Sequence, residues 1–169
     1  MARSHTVVVL ILALLVANLI GGCGKAVANA EQTQRIDEAK LVVQQISKAM
    51  VSAYDREDMG DSPVIDLKAR PVHKLCPGTR QSVPSSFPDG SDLTAYAPSP
   101  RDFDEPTWKC LKMELRDKLY FQYEIKLDGD SGFTVLAHRK IGSETIQISQ
   151  KGTLVNGQVR LGEVEVTRK

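Results

Sequence analysis

A chain of 169 residues, 41% hydrophobic and 25% charged, has the composition of one ordinary globular domain plus a short targeting segment. Lys and Arg number 22 against 21 Asp and Glu, and the first 22 residues hold one base, Arg3, and no acid, so the remainder is formally neutral. A neutral domain exerts no electrostatic pull on phosphate backbones or anionic headgroups, and nucleic acid is excluded as a favoured partner.

Met1 to His5 form a short polar start, and Thr6 to Ile20 ("TVVVLILALLVANLI") are almost entirely aliphatic. As a helix this run reaches roughly 22 Å, short of the ~30 Å hydrocarbon core of a bilayer. Residues 1–22 therefore read as a signal peptide or hydrophobic leader. The run leads into Ile20-Gly21-Gly22-Cys23, which resembles the lipobox of bacterial lipoproteins: an aliphatic residue, two small residues, then cysteine. The resemblance implies that Cys23 receives a diacylglycerol and becomes the N-terminus on cleavage, with 23–30 as a short tether. Gly at minus two replaces the more usual Ser, Ala or Thr. Two other readings stand beside this one. Ala28-Asn29-Ala30 is an A-x-A site for ordinary signal peptidase, and an uncleaved leader would leave the chain anchored. Gly24 in place of Asp after the cysteine favours the outer membrane, by analogy with enterobacterial sorting.

Three cysteines are an awkward number for an exported protein. If Cys23 carries lipid, Cys76 and Cys110 remain as a pair that an oxidising compartment would join. The alternatives are two buried reduced cysteines, or a cysteine bound to metal. Neither cysteine has a Cys or His close by at ligand spacing, and His73 stands alone, so neither metal nor cofactor is expected.

Residues 31–58 read as one long helix. Ile36, Ala39, Val43, Ile46, Met50 and Ala53 recur at steps of three and four, the spacing of a single buried stripe. Leu41 and Val42 widen that stripe and Tyr54 extends it. Gly60 suits a left-handed cap, with Pro63 soon after. The stretch 60–106 holds all eight prolines if its two ends are included, and reads as an irregular excursion without regular ladders. The segment "FDEPTWKCL" (103–111) closes it. There Asp104 can cap, Pro106 suits a first helical turn, and Trp108 with Leu111 packs inward. Trp108 is taken as a core anchor in preference to a ligand-stacking platform.

From Lys118 to Thr167 the period is two. Leu119, Phe121, Tyr123, Ile125 and Leu127 point one way, and Gln122, Glu124 and Lys126 the other. Turns at "DGDSG" (128–132), Gly142 and Asn156-Gly157 separate four strands, and Gly162 marks a bulge in the last. A four-stranded antiparallel meander with one long helix over its apolar face is an α+β domain.

No P-loop, Rossmann glycine pattern, H-E-x-x-H or G-x-S-x-G occurs. His138 falls in a strand, Asp128 and Asp130 are a fragment of a calcium loop without its remaining ligands, and Asp102 with Asp104 reads as turn chemistry. A hydrolase assembled from scattered Ser, Asp and His138 is the weakest reading. Taken in order, the apolar N-terminal run, "RIDEAKLVVQQISKAMVSAYDRE", the proline-rich stretch, "DEPTWKCLKM" and the terminal sheet resemble type IV pilins and pseudopilins, particularly those of myxobacteria. The resemblance implies a helix that backs the sheet, a disulfide that pins the loop, and no enzymatic activity. It implies filament assembly, adhesion or envelope contacts, with membrane lipid and other pilin-like proteins as partners. Residues 2–20 contain no acid, so the prepilin junction and its assembly carboxylate are missing, and Cys23 supplies a different anchor. The alternative is a secreted or periplasmic domain that binds a ligand through 60–106.

Overall fold

The computed structural model describes residues 3–56, 73–87 and 94–169, with side chains from residue 29 onward. The side chains of the leader and of Cys23, together with Gly60, Pro63 and much of the proline-rich stretch, lie outside what is described.

Period-two patterning builds the sheet. Strands β1 (Gln122–Leu127), β2 (Gly132–Ile141), β3 (Glu144–Val155) and β4 (Gln158–Arg168) pair antiparallel in the order β1-β2-β3-β4. Ile125 faces Val135, Val135 faces Gln150, and Gln150 faces Val164. One face of β1 to β3 is therefore a continuous apolar layer, with Tyr123, Ile125, Phe133, Val135, Ala137, Ile146 and Ile148 buried. Leu127 ends that row at the margin and is 39% exposed. The first strand starts at Gln122, not at Lys118, because Gln122 opposite His138 is the last β1–β2 pair. Leu119 instead exchanges backbone hydrogen bonds with Tyr96.

Two local devices set the register. Asn156 and Gly157 both adopt positive φ, 51° and 76°, as a two-residue primed turn demands. That turn sets Val155 against Gln158 and Leu154 against Val159, as the sequence predicts. Further along, Gln150 pairs with Val164 but Gly152 pairs with Leu161, so Gly162 and Glu163 together oppose Lys151. This is the expected bulge, and the Gln150 amide secures it by donating to the Gly162 carbonyl at 2.9 Å.

Helix α1 runs Arg3–Asp55 and so departs from the expected span of 31–58 at both ends. Residues 23–30 are helical; no proline interrupts the ladder between Arg3 and Asp55. The chain divides into two compact units, Met1–Asp37 and Glu38–Lys169. In the second, Ala39, Val43, Ile46, Met50, Ala53 and Tyr54 form the buried stripe of α1. Glu38 lies close enough to Tyr123 for its charge to act on the phenol. Leu41 does not join the stripe and is 60% exposed. Two residues beyond Ala39 it lies about 200° around the helix, on the opposite side. The architecture is α+β, with the helix stripe and the sheet face as its core.

Candidate functional site

The first described part of the proline-rich stretch is laid along β1, on the edge away from β2. Thr79 N–H donates to the Ile125 carbonyl at 2.9 Å, and Val83 exchanges both backbone bonds with Tyr123 at 2.9 and 2.8 Å. These are isolated bridges rather than a strand, consistent with a segment whose prolines remove donors. Gly78 makes the approach feasible, since a Cβ there would sit 2.9 Å from the Ile125 carbonyl oxygen. On the far side of β2 the parity of the sheet turns Arg139 inward, where it is 4% exposed. Its guanidinium donates to the carbonyls of Thr94 (3.1 Å) and Tyr120 (2.7 Å) and lies 4.3 Å over the Phe87 ring. Burial lowers its pKa from the ordinary arginine value. Arg139 thus staples the second half of the stretch to the sheet.

Helix α2 (Pro106–Leu111) closes the stretch. Pro106 opens it as expected, but its N-cap is Glu105 rather than Asp104. Glu105 leaves its own helix uncapped and accepts from Arg80 N–H at 3.1 Å, while Asp104 pairs with Lys109 at 3.3 Å. Thr107 is buried and its hydroxyl donates to the Gly78 carbonyl at 2.8 Å. Trp108 is 1% exposed with Phe103 edge-on at 5.4 Å. Cys110 is disulfide-bonded to Cys76 across a Cα separation of 5.8 Å, which decides between the paired and the reduced or metal-bound readings. The helix ends at Lys112 in the left-handed region, φ 53°.

Beside the disulfide lies a shallow groove of about 390 Å³. Ala53, Leu75, Pro77 and Cys110 form its apolar wall, and Arg56, Lys74, Lys109 and Lys112 bring four cationic groups to it. Among the described residues no carboxylate lines it. The Arg56 guanidinium donates to the Cys110 carbonyl, which fixes the end of α1 against the disulfide. An adjoining hollow of about 660 Å³ is lined by Phe103, Trp108, Met113, Lys109 and Lys112, but also by the carboxylates of Asp104 and Glu114, so only the groove is free of acidic lining among the described residues. Cations on an apolar wall suit a carboxylate or another small anion, although exposed lysines attract it weakly and lose that attraction in salt.

The other candidates from the sequence are dispersed. His138 stands on the outer face of β2, its Nδ1 4.0 Å from Glu124 Oε1. Asp128 pairs with Lys151 at 3.2 Å. Asp102 accepts from the Tyr96 hydroxyl at 3.0 Å and from Ser99 N–H at 2.7 Å, as the return arm of a capping box. That hydrogen bond raises the Tyr96 pKa by favouring its protonated form. His73 Nδ1 meets the Tyr54 carbonyl at 3.0 Å. Asp102 and Asp104 thus serve separate partners: Asp102 accepts from the Tyr96 and Ser99 hydroxyls as part of the capping box, and Asp104 pairs with Lys109. The groove cations were missed in the sequence because Arg56, Lys74 and Lys112 are distant along the chain and meet only in the fold, around the disulfide. No protein-family model matches the chain, and neither a curated protein nor a solved structure matches it.

Proposed function

We propose that this protein is a non-enzymatic component of the cell envelope, a pilin-like α+β head held at a membrane surface by lipid on Cys23. The observation that supports it most is the Cys76–Cys110 disulfide. Such bonds persist in oxidising compartments, and the aliphatic leader supplies a route to one. The bond also takes up two of the three cysteines, leaving Cys23 at the end of the lipobox-like sequence. A helix-backed antiparallel sheet with a pinned loop fits the pilin-like part of the reading. Each buried acyl methylene contributes about 0.8 kcal/mol, so two or more chains hold a protein durably where one does not. The head would then present its surfaces to neighbouring envelope proteins, in filament assembly or adhesion.

The test is the mature N-terminus. Mass spectrometry is expected to find a blocked, lipid-bearing Cys23, and Cys23→Ser is expected to release the protein from membranes. A Cys23→Ser protein that still sediments with membranes at full length overturns lipid anchoring in favour of an uncleaved leader. A second reading draws on the basic groove: a periplasmic or secreted domain that binds an acidic ligand. A free Glu31 terminus, with acidic-peptide binding that Lys112→Glu abolishes, would favour it.

A further inference from the structure

The sheet has two edges, and only one of them is covered among the described residues. The edge of β1 carries Thr79, Val83 and Gln122's contacts to Pro84 and Ser85. The edge of β4 carries no backbone partner among the described residues. Lys169 exchanges both backbone bonds with Thr145, at 2.8 and 3.0 Å. Alternation from that pair turns the N–H and C=O groups of Thr167 and Glu165 toward β3 and those of Val164 and Val166 outward. Beyond the bulge the parity changes, and Leu161 and Val159 face outward. The residues that offer free backbone groups are therefore also those whose apolar side chains lie on the core side of the sheet. None of the four is fully buried, and Val166 is 38% exposed.

We infer that β4 pairs antiparallel with β4 of a second copy of this chain, about a two-fold axis through the Gly162–Glu163 bulge. An axis perpendicular to a sheet keeps side chains on their own face, so each residue must meet one of the same face. In a regular strand those partners share parity; the bulge is what lets residues of opposite parity meet. About that axis Leu161 meets Val164 of the second copy and Val159 meets Val166, each with outward backbone groups to exchange. On the other face Arg160 meets Glu165, and symmetry makes the ion pair twice. Both residues are exposed, and neither forms an ion pair with another described residue. The strand is thus complementary to itself in apolar content, hydrogen bonding and charge at one register. Bulges and charges blunt an edge against indiscriminate pairing, and here the same features select that register. The result is a continuous eight-stranded sheet, and it does not depend on how the chain is anchored.

The test is sedimentation equilibrium of the full chain in density-matched detergent, with charge reversals. The wild type is expected to dimerise. Arg160→Glu and Glu165→Arg each set like charges opposite one another twice, and each is expected to weaken dimerisation roughly tenfold to thirtyfold. Arg160→Glu with Glu165→Arg restores opposite charges and is expected to recover dimerisation to within about threefold of wild type. A monomeric wild type overturns the inference. So does a dimer that the single reversals leave unchanged, or single losses that the double reversal does not recover.

Discussion

Removing the Cys76–Cys110 bond tests how the proline-rich stretch is held. The cysteines are separated by 34 residues in sequence. For a loop of that length the chain-entropy account gives about 3.8 kcal/mol at room temperature. Cys76 is buried, so Cys76→Ala with Cys110→Ala also removes packing, adding about 1 kcal/mol. Comparing the oxidised wild type, the reduced wild type and the double alanine variant separates the cross-link from the packing. Urea unfolding is expected to give a loss of about 4 kcal/mol on reduction, or a fall in Tm of roughly 10–15 °C for a domain of this size. Hydrogen exchange should report the same event locally, with faster exchange at Thr79 and Val83, whose N–H groups bond to β1. Coincident unfolding of the oxidised and reduced wild type, with those amides still protected, would refute the argument. The stretch would then be held by its other contacts, among them Arg139, Thr107 and the backbone bridges to β1 and Leu119.

Gly152→Ala should destabilise by about 1–3 kcal/mol, because a Cβ there would lie 2.5 Å from the ring of the fully buried Phe133. Phe133→Leu should cost less in that background than in the wild type; additive losses in a double-mutant cycle would show that the ring moves aside freely. Burial, and then the Glu38 charge, raise the Tyr123 pKa above its ordinary value of 10. Above pH 10 the unfolded chain releases this phenolic proton while the folded chain keeps it. Stability is therefore full below pH 10 and falls above it by about 1.4 kcal/mol per pH unit from this group. Tyr123→Phe should flatten that fall between pH 10 and pH 12 in urea unfolding, and equal slopes in the two proteins would contradict the assigned cause.

The positions that decide these experiments differ in how visible they are in the sequence. The stripe from Ile36 to Ala53 is legible because helix period and burial coincide there. Arg139 could have been found as well: it keeps step with Phe133, Val135 and Ala137, and parity alone sends it inward. Leu41 was misplaced by its hydrophobicity, since its angular position puts it on the exposed side. Glu105 rather than Asp104 occupies the N-cap position of α2, without a side-chain cap, because that position is set by backbone angles that acidic residues in series do not distinguish.

Local periodicity and turn chemistry determined what a chain's neighbours along the sequence can decide: one amphipathic helix, four alternating strands, the Asn156-Gly157 turn and the Gly162 bulge. Those signals act over a few residues, where sterics and hydrogen-bond geometry suffice. Only the tertiary structure decided which groups distant in sequence meet. It laid Thr79 and Val83 along β1, put Arg139 beneath Thr94 and Phe87, and gathered Arg56, Lys74, Lys109 and Lys112 around the disulfide. It also left the β4 edge without a backbone partner among the described residues. Such contacts follow from closing long loops onto a shared core, and no period in the sequence encodes them.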